Sequence, residues 1–155
     1  MGKTFFKCLG IFLSVILIDQ LSKYFGRGLE TLHYNEGVIF GLYSDIPSAL
    51  RIIALTSVSG FIFFLYTVLI YLLSPRLKVL KYGISLFVGG IFGNVIDRTI
   101  IGKSIDFIPI NFVSGLELTF NMADVFQWVG AGIIVYKIIK KEKIMWHPEN
   151  QRGQF

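Results

Sequence analysis

The sequence predicts an all-α integral membrane protein built as a four-transmembrane-helix bundle, and three observations point there. Of its 155 residues 54% are hydrophobic and 16% charged, with a mean hydropathy of +0.65, which is too little polar surface to coat a soluble globule of this size. The apolar residues gather into four long runs separated by polar segments. The basic residues are distributed unevenly between the two sets of connecting segments, as orientation in a membrane demands. One membrane domain over residues 1–155 is expected. The net charge of +5 would also suit a nucleic-acid binder, but the basic residues are not interleaved with aromatics on any binding face, so no nucleic-acid partner is expected.

The first span is placed at about 5–24. Lys3 and Lys7 followed by Leu9 to Ile18 resemble the charged and apolar parts of a secretory signal, yet Asp19-Gln20-Leu21-Ser22-Lys23 follows where small residues would mark cleavage, so an uncleaved span is expected. Gly2 does not open a myristoylation motif, because Phe6 stands where Ser or Thr is needed. Cys8 is the single cysteine, which excludes an intrachain disulfide, and Lys7 before it breaks the small-residue pattern of a lipid-attachment site. The second span, 52–73, carries no charged residue at all and is long enough at about 1.5 Å per residue to cross a hydrocarbon core of about 30 Å. The third, 79–96, contains Gly83, Gly89, Gly90 and Gly93, which would let neighbouring helices approach closely. The fourth, 121–139, starts near Asp124 and ends in a lysine-rich stretch. The tail over 146–155 is expected to be disordered.

Lys3, Lys7, Arg76, Lys78, Lys81, Lys137, Lys140, Lys141, Lys143 and Arg152 make up most of the 15 basic residues, and all lie on one side of this topology. By the positive-inside tendency both termini are cytoplasmic, and the loops 25–50 and 98–120 face the other side. Asp97, closing span three, and Asp124, opening span four, therefore lie at the same membrane face, together with Asp19 and Lys23 at the end of span one. Leu32 to Tyr43 has a composition that favours short strands and tight turns around Gly37 and Gly41. Thr99 to Thr119 is rich in Ile and Phe and is expected either to rest on the headgroup layer or to fold over the site.

A carboxylate near hydrocarbon is costly unless paired, hydrated or used, so Asp97 and Asp124 are the chief candidates for function. Each follows an asparagine by three positions, Asn94 and Asn121, on the same helix face if the helices continue there. Two neighbouring carboxyls share a proton, which suits a hydrolase in which one member takes a proton from water and the other hydrogen-bonds the scissile carbonyl. Plainer readings stand beside this one: Asp97 paired with Arg98 at a membrane boundary, and Asp124 as a helix-terminal acid favoured by the dipole. A zinc or histidine-dependent site is disfavoured because His33 and His147 fall on opposite predicted faces. Gly89-Gly90-Ile91-Phe92-Gly93 lacks the Lys-Ser/Thr ending of a phosphate loop. A transporter or channel subunit, with Asp19, Asp97 and Asp124 relaying protons or a cation, is the alternative from another class, although no inverted repeat is visible.

Five motifs in order, Asp19-Gln20-Leu21-Ser22-Lys23, Asn35-Glu36-Gly37-Val38-Ile39-Phe40-Gly41, Gly93-Asn94-Val95-Ile96-Asp97-Arg98, Ile105-Asp106-Phe107 and Phe120-Asn121-Met122-Ala123-Asp124, give the chain a resemblance. It resembles the bacterial lipoprotein signal peptidase family, also called signal peptidase II, over nearly all its length. Ile39 departs from the alanine usual in the family. The resemblance implies an aspartic endopeptidase of the bacterial cytoplasmic (inner) membrane that cleaves diacylglyceryl-modified prolipoproteins just before the lipidated cysteine. It implies Asp97 and Asp124 as the catalytic pair, with Asn94, Arg98 and Asn121 supporting the site or holding substrate. Asp19, Lys23, Asn35 and Gly37 would shape the site and its cover. It further implies a small extracytoplasmic β-cradle from the first loop, no metal and no cofactor. Membrane lipid and the prolipoprotein are the expected partners, and a monomer suffices.

Overall fold

The computed structural model describes residues 2–35, 47–111 and 117–140. Gly37 and Ile39, with the rest of the strand-like stretch after Asn35, lie outside the described residues, as does the C-terminal tail. The elements run α1 (Gly2–Gly26), β1 (His33–Asn35), α2 (Ser48–Leu72), α3 (Lys78–Ile101), β2 (Ser104–Asp106), β3 (Ile108–Asn111), β4 (Glu117–Phe120) and α4 (Met122–Ile139). All four helices are long and apolar enough to cross a membrane. Their outer faces carry large exposed apolar side chains such as Phe6, Phe25, Phe61 and Phe64, as surfaces meeting lipid do.

The third helix is the centre of the bundle: α3 packs against all three others, most extensively against α4 and α1. Its glycines make this possible. A Cβ added at Gly89 would lie 2.9 Å from Val15 Cβ of α1, and one at Gly83 2.7 Å from Ile133 of α4. At the α3–α4 crossing the backbones themselves meet, since a Cβ on Gly130 would come within 2.6 Å of Phe87 N and 2.7 Å of Gly83 O, and one on Gly90 would run into Ala123 O. Those obstacles are backbone atoms, which no rotamer change can move. Gly130→Val is therefore expected to force α3 and α4 apart and to cost at least about 1 to 3 kcal/mol, as overpacking does. A fall in thermal stability in detergent checks this, and an unchanged unfolding temperature would contradict the packing described.

Toward the α2 side the core is aromatic. Phe12 stacks on Tyr66 with centroids 5.4 Å apart and meets Phe92 edge-on at 5.3 Å. Cys8, Ile70 and Val88 complete this cluster.

The helix ends next to the carboxylates are set by local chemistry. The third helix continues past Asp97 and Arg98 to Ile101 and stops at Gly102, whose φ of 79° is the left-handed conformation that favours glycine; its N–H reaches Arg98 O at 3.2 Å. Asn121 is not helical: it is the extended N-cap of α4, with φ −131° and ψ 178°. It closes a capping box with Asp124, Asp124 N donating to Asn121 Oδ1 at 3.1 Å and Asn121 N to Asp124 Oδ2 at 3.2 Å.

The small β-structure draws on both loops. β1 pairs antiparallel with β2, in the register His33↔Asp106 and Asn35↔Ser104. β3 and β4 form a second antiparallel pair, Ile108↔Phe120 to Asn111↔Glu117. Among the described residues the first loop thus contributes one strand and the second loop three, whereas the resemblance led to the expectation of a cradle from the first loop. The alternating apolar residues of the second loop suit its half-buried strand pair.

Candidate active site

Three helices and two strands bring polar side chains to one end of the bundle. From α1 come Asp19, Gln20 and Lys23; from α3 Asn94, Asp97 and Arg98; from α4 and its cap Asn121 and Asp124. The strands add Asn35, Ser104 and Asp106. Asp19, Lys23, Asn121 and Asp106 are each no more than 2% exposed, so every one of them needs partners in the protein.

Lys23 is the first organiser. Its Nζ lies 2.7 Å from Asp19 Oδ2, one helical turn back on the same face, and 2.7 Å from Asp97 Oδ2 of α3. It also donates to Asn94 Oδ1 at 2.9 Å, so the ammonium has three oxygen partners around it. Asp19 also reaches across to the start of α4, where Ala123 N donates to its Oδ1 at 2.8 Å. This buried helix-end N–H is an orphan of the first turn, and a carboxylate there suits the dipole. Gly93 lets this happen, since a Cβ there would stand 2.5 Å from Asp19 Oδ2.

Asn94 is the second organiser. Its Oδ1 accepts from Lys23 and from Asn121 Nδ2 at 2.9 Å, while its Nδ2 donates to Asp124 Oδ1 at 2.8 Å. Gln20 Nε2 bridges Gly93 O and Asp97 Oδ1, each at 3.1 Å. Asp97 and Asp124 are therefore joined through one continuous run, Asp97 to Lys23 to Asn94 to Asp124. Their exposure differs: Asp97 is 5% exposed, and Asp124 is half-buried.

Asp106 anchors the strands to the helices. Its Oδ1 accepts from Asn121 Nδ2 at 2.6 Å and its Oδ2 from Asn35 Nδ2 at 3.0 Å. Arg98 Nη2 reaches Ser104 Oγ at 3.3 Å on the same strand. Asn35, Arg98 and Asn121 thus fasten the β-structure over the two aspartates.

Each candidate of the sequence reading that lies within the described residues falls in this cluster, which leaves only Gly37 outside. The plainer readings hold in part: Asp124 is a helix-terminal acid in a capping box, whereas the ion pair of Asp97 reaches across to Lys23 of another helix. Gln20, Ser104, Asp106 and Gln127 were not singled out. Gln20 and Asp106 lay inside motifs already noted, and an acid between Ile105 and Phe107 was the available sign. Gln127 Nε2, at 3.5 Å from Asp124 Oδ1, carried only a one-turn spacing as a hint.

A four-helix membrane protein with acids from adjacent helices gathered at one end, under a small strand cover, has the make-up of an intramembrane hydrolase. The signal peptidase II family model matches residues 11–140, and the chain belongs to that family, which makes it a multi-pass membrane protease. Lipoprotein signal peptidases of Brucella ovis and Brucella melitensis are each 28% identical to it over 139 residues, covering 81% of this chain and 84% of theirs. A bacterial membrane enzyme solved by the in meso method at 2.3 Å shares the fold with a TM-score of 0.68 and 20% identity, over 96% of this chain and 94% of that one. Another, solved at 1.9 Å, gives 0.69 and 22% over 87% and 94%.

Proposed function

We propose that this protein removes the signal peptide from prolipoproteins whose cysteine already carries diacylglyceryl, cutting just before that cysteine, with Asp97 and Asp124 as an aspartic pair. The observation that carries the proposal is the run of one ion pair and two hydrogen bonds from Asp97 through Lys23 and Asn94 to Asp124. It ties acids of two helices into one unit at a single end of the bundle, where both can act on the same peptide bond.

The ionised member of the pair takes a proton from water as the water attacks the scissile carbonyl, while the protonated member donates to the carbonyl oxygen. As the resulting gem-diol collapses, the proton taken from water passes to the leaving amine and a gem-diol hydroxyl returns its proton to the other acid, so the pair again holds one proton. No covalent intermediate forms. Asn94 and Asn121 orient the Asp124 carboxylate, Asp19 and Lys23 fix Asp97, and Arg98, Asn35 and Gly37 belong to the cover. A lipid-anchored substrate reaches the site sideways from the bilayer, and its diacylglyceryl group stays in lipid. The enzyme sits in the bacterial cytoplasmic membrane with both termini cytoplasmic and the acids near the outer face, where water is available; a monomer is sufficient.

A gel-shift assay with a diacylglyceryl-modified precursor and its unmodified counterpart tests this. Cleavage of the modified precursor alone is expected. Ion or proton flux in liposomes without cleavage would contradict the proposal and favour a transport function.

A further inference from the structure

At the end of the bundle away from the carboxylates, a cavity of about 290 Å³ is lined by Gly2 and Phe5 of α1, Ile70 and Tyr71 of α2 and Lys81 of α3. Its walls are apolar except at Lys81. This lysine is 3% exposed, and its Nζ donates to Ile70 O at 2.6 Å. Ile70 lies in the last turn of α2, whose carbonyls have no partner within the helix, so this bond caps a helix end. An ammonium has three N–H groups, and Ile70 accounts for one.

No acid pairs with Lys81 among the described residues, whereas Lys23 makes two ion pairs. The two buried lysines thus differ in kind: Lys23 sits between two carboxylates, and Lys81 faces a cavity with no counter-charge. A buried cation left in that condition is costly. The helix ends around it are mixed in sign. Gly2 begins α1 and Lys78 begins α3 after Leu77, which supplies no side-chain cap, so the positive ends of two helix dipoles lie near the cavity, and the C-terminal end of α2, whose carbonyl Lys81 caps, brings one negative end. Lys3 and Lys78 are exposed on the same first turns.

We propose that this cavity holds the headgroup phosphate of an anionic phospholipid. Lys81 meets the phosphate, and Phe5, Ile70 and Tyr71 line the start of an acyl chain. Position and chemistry agree on a lipid: a helix end of a membrane bundle lies at headgroup level, and a single cation at the edge of an apolar wall matches an amphiphile with an anionic head.

Retention of phosphatidylglycerol and of diacylglycerol, which lacks the phosphate, by the purified full chain in neutral detergent, read by native mass spectrometry, tests the proposal. The unaltered protein should retain phosphatidylglycerol about tenfold better, the value of one charge-assisted hydrogen bond. Lys81→Met should bring retention down to the diacylglycerol level, and Lys81→Arg should preserve it. Tyr71→Glu sets a carboxylate beside the cavity at a residue 60% exposed, so packing is kept while phosphatidylglycerol is lost. Equal retention of both lipids by the unaltered protein would overturn the proposal, as would undiminished phosphatidylglycerol binding in Tyr71→Glu. Inorganic phosphate binding as tightly as phosphatidylglycerol would overturn the lipid assignment in favour of a free-anion site.

Discussion

Replacing Lys23 with methionine is expected to be the most destabilising single change at the site. The side chain is of similar length and apolar, so packing is nearly kept, and what disappears is the ammonium between Asp19 Oδ2 and Asp97 Oδ2, each 2.7 Å away. Both acids are then buried without their cation, at 0% and 5% exposure. Removing one partner of a buried pair costs about 3 to 5 kcal/mol, because the remaining charge is uncompensated. The loss falls on the α1–α3 contact, and unfolding in detergent should register it directly. Adding Asp19→Asn to Lys23→Met should recover part of the stability by removing one orphaned charge. Lys23→Arg should not restore the wild type, since a planar fork cannot replace a compact ammonium bonded to Asp19, Asp97 and Asn94 at once.

The largest effect on activity is expected from Asp97→Asn and Asp124→Asn, each lowering cleavage of a lipidated precursor by about 10³-fold or more. Both variants should stay folded, for reasons local to each. In Asp97→Asn the ammonium of Lys23 keeps Asp19 and Asn94 as partners. In Asp124→Asn the side-chain oxygen can still accept from Asn121 N or Asn94 Nδ2, so the cap of α4 survives. What neither asparagine can do is take a proton from water or hold the proton the pair shares. Circular dichroism and membrane insertion separate this loss from unfolding.

Much of this site was legible because it is written at short range. The glycines of α3 predict close packing, and topology alone sends Asp97 and Asp124 to one end, with Asp19 and Lys23 beside them. The parts that were not legible depend on what the chain meets after folding. Lys23 finds Asp97 only once α1 lies on α3. Asn121 looks like a helical neighbour of Asp124 in sequence, but as an extended N-cap it turns its amide to Asn94 and Asp106. Asp97 and Arg98 look like the end of a span because charge stops a hydropathy run, whereas the backbone stops only at Gly102. The pairing of β1 with β2 joins two loops far apart in the chain, and no local pattern specifies it.

The claim at the centre of the account is that Asp97 and Asp124 act as one unit on one peptide bond. Rates of cleavage of a diacylglyceryl-modified precursor by the wild type, Asp97→Asn, Asp124→Asn and the double variant test it most directly. Residues that act together are not additive, so the double variant should be no slower than the worse single variant. Near wild-type cleavage by either single variant, or losses that multiply in the double variant, would contradict it.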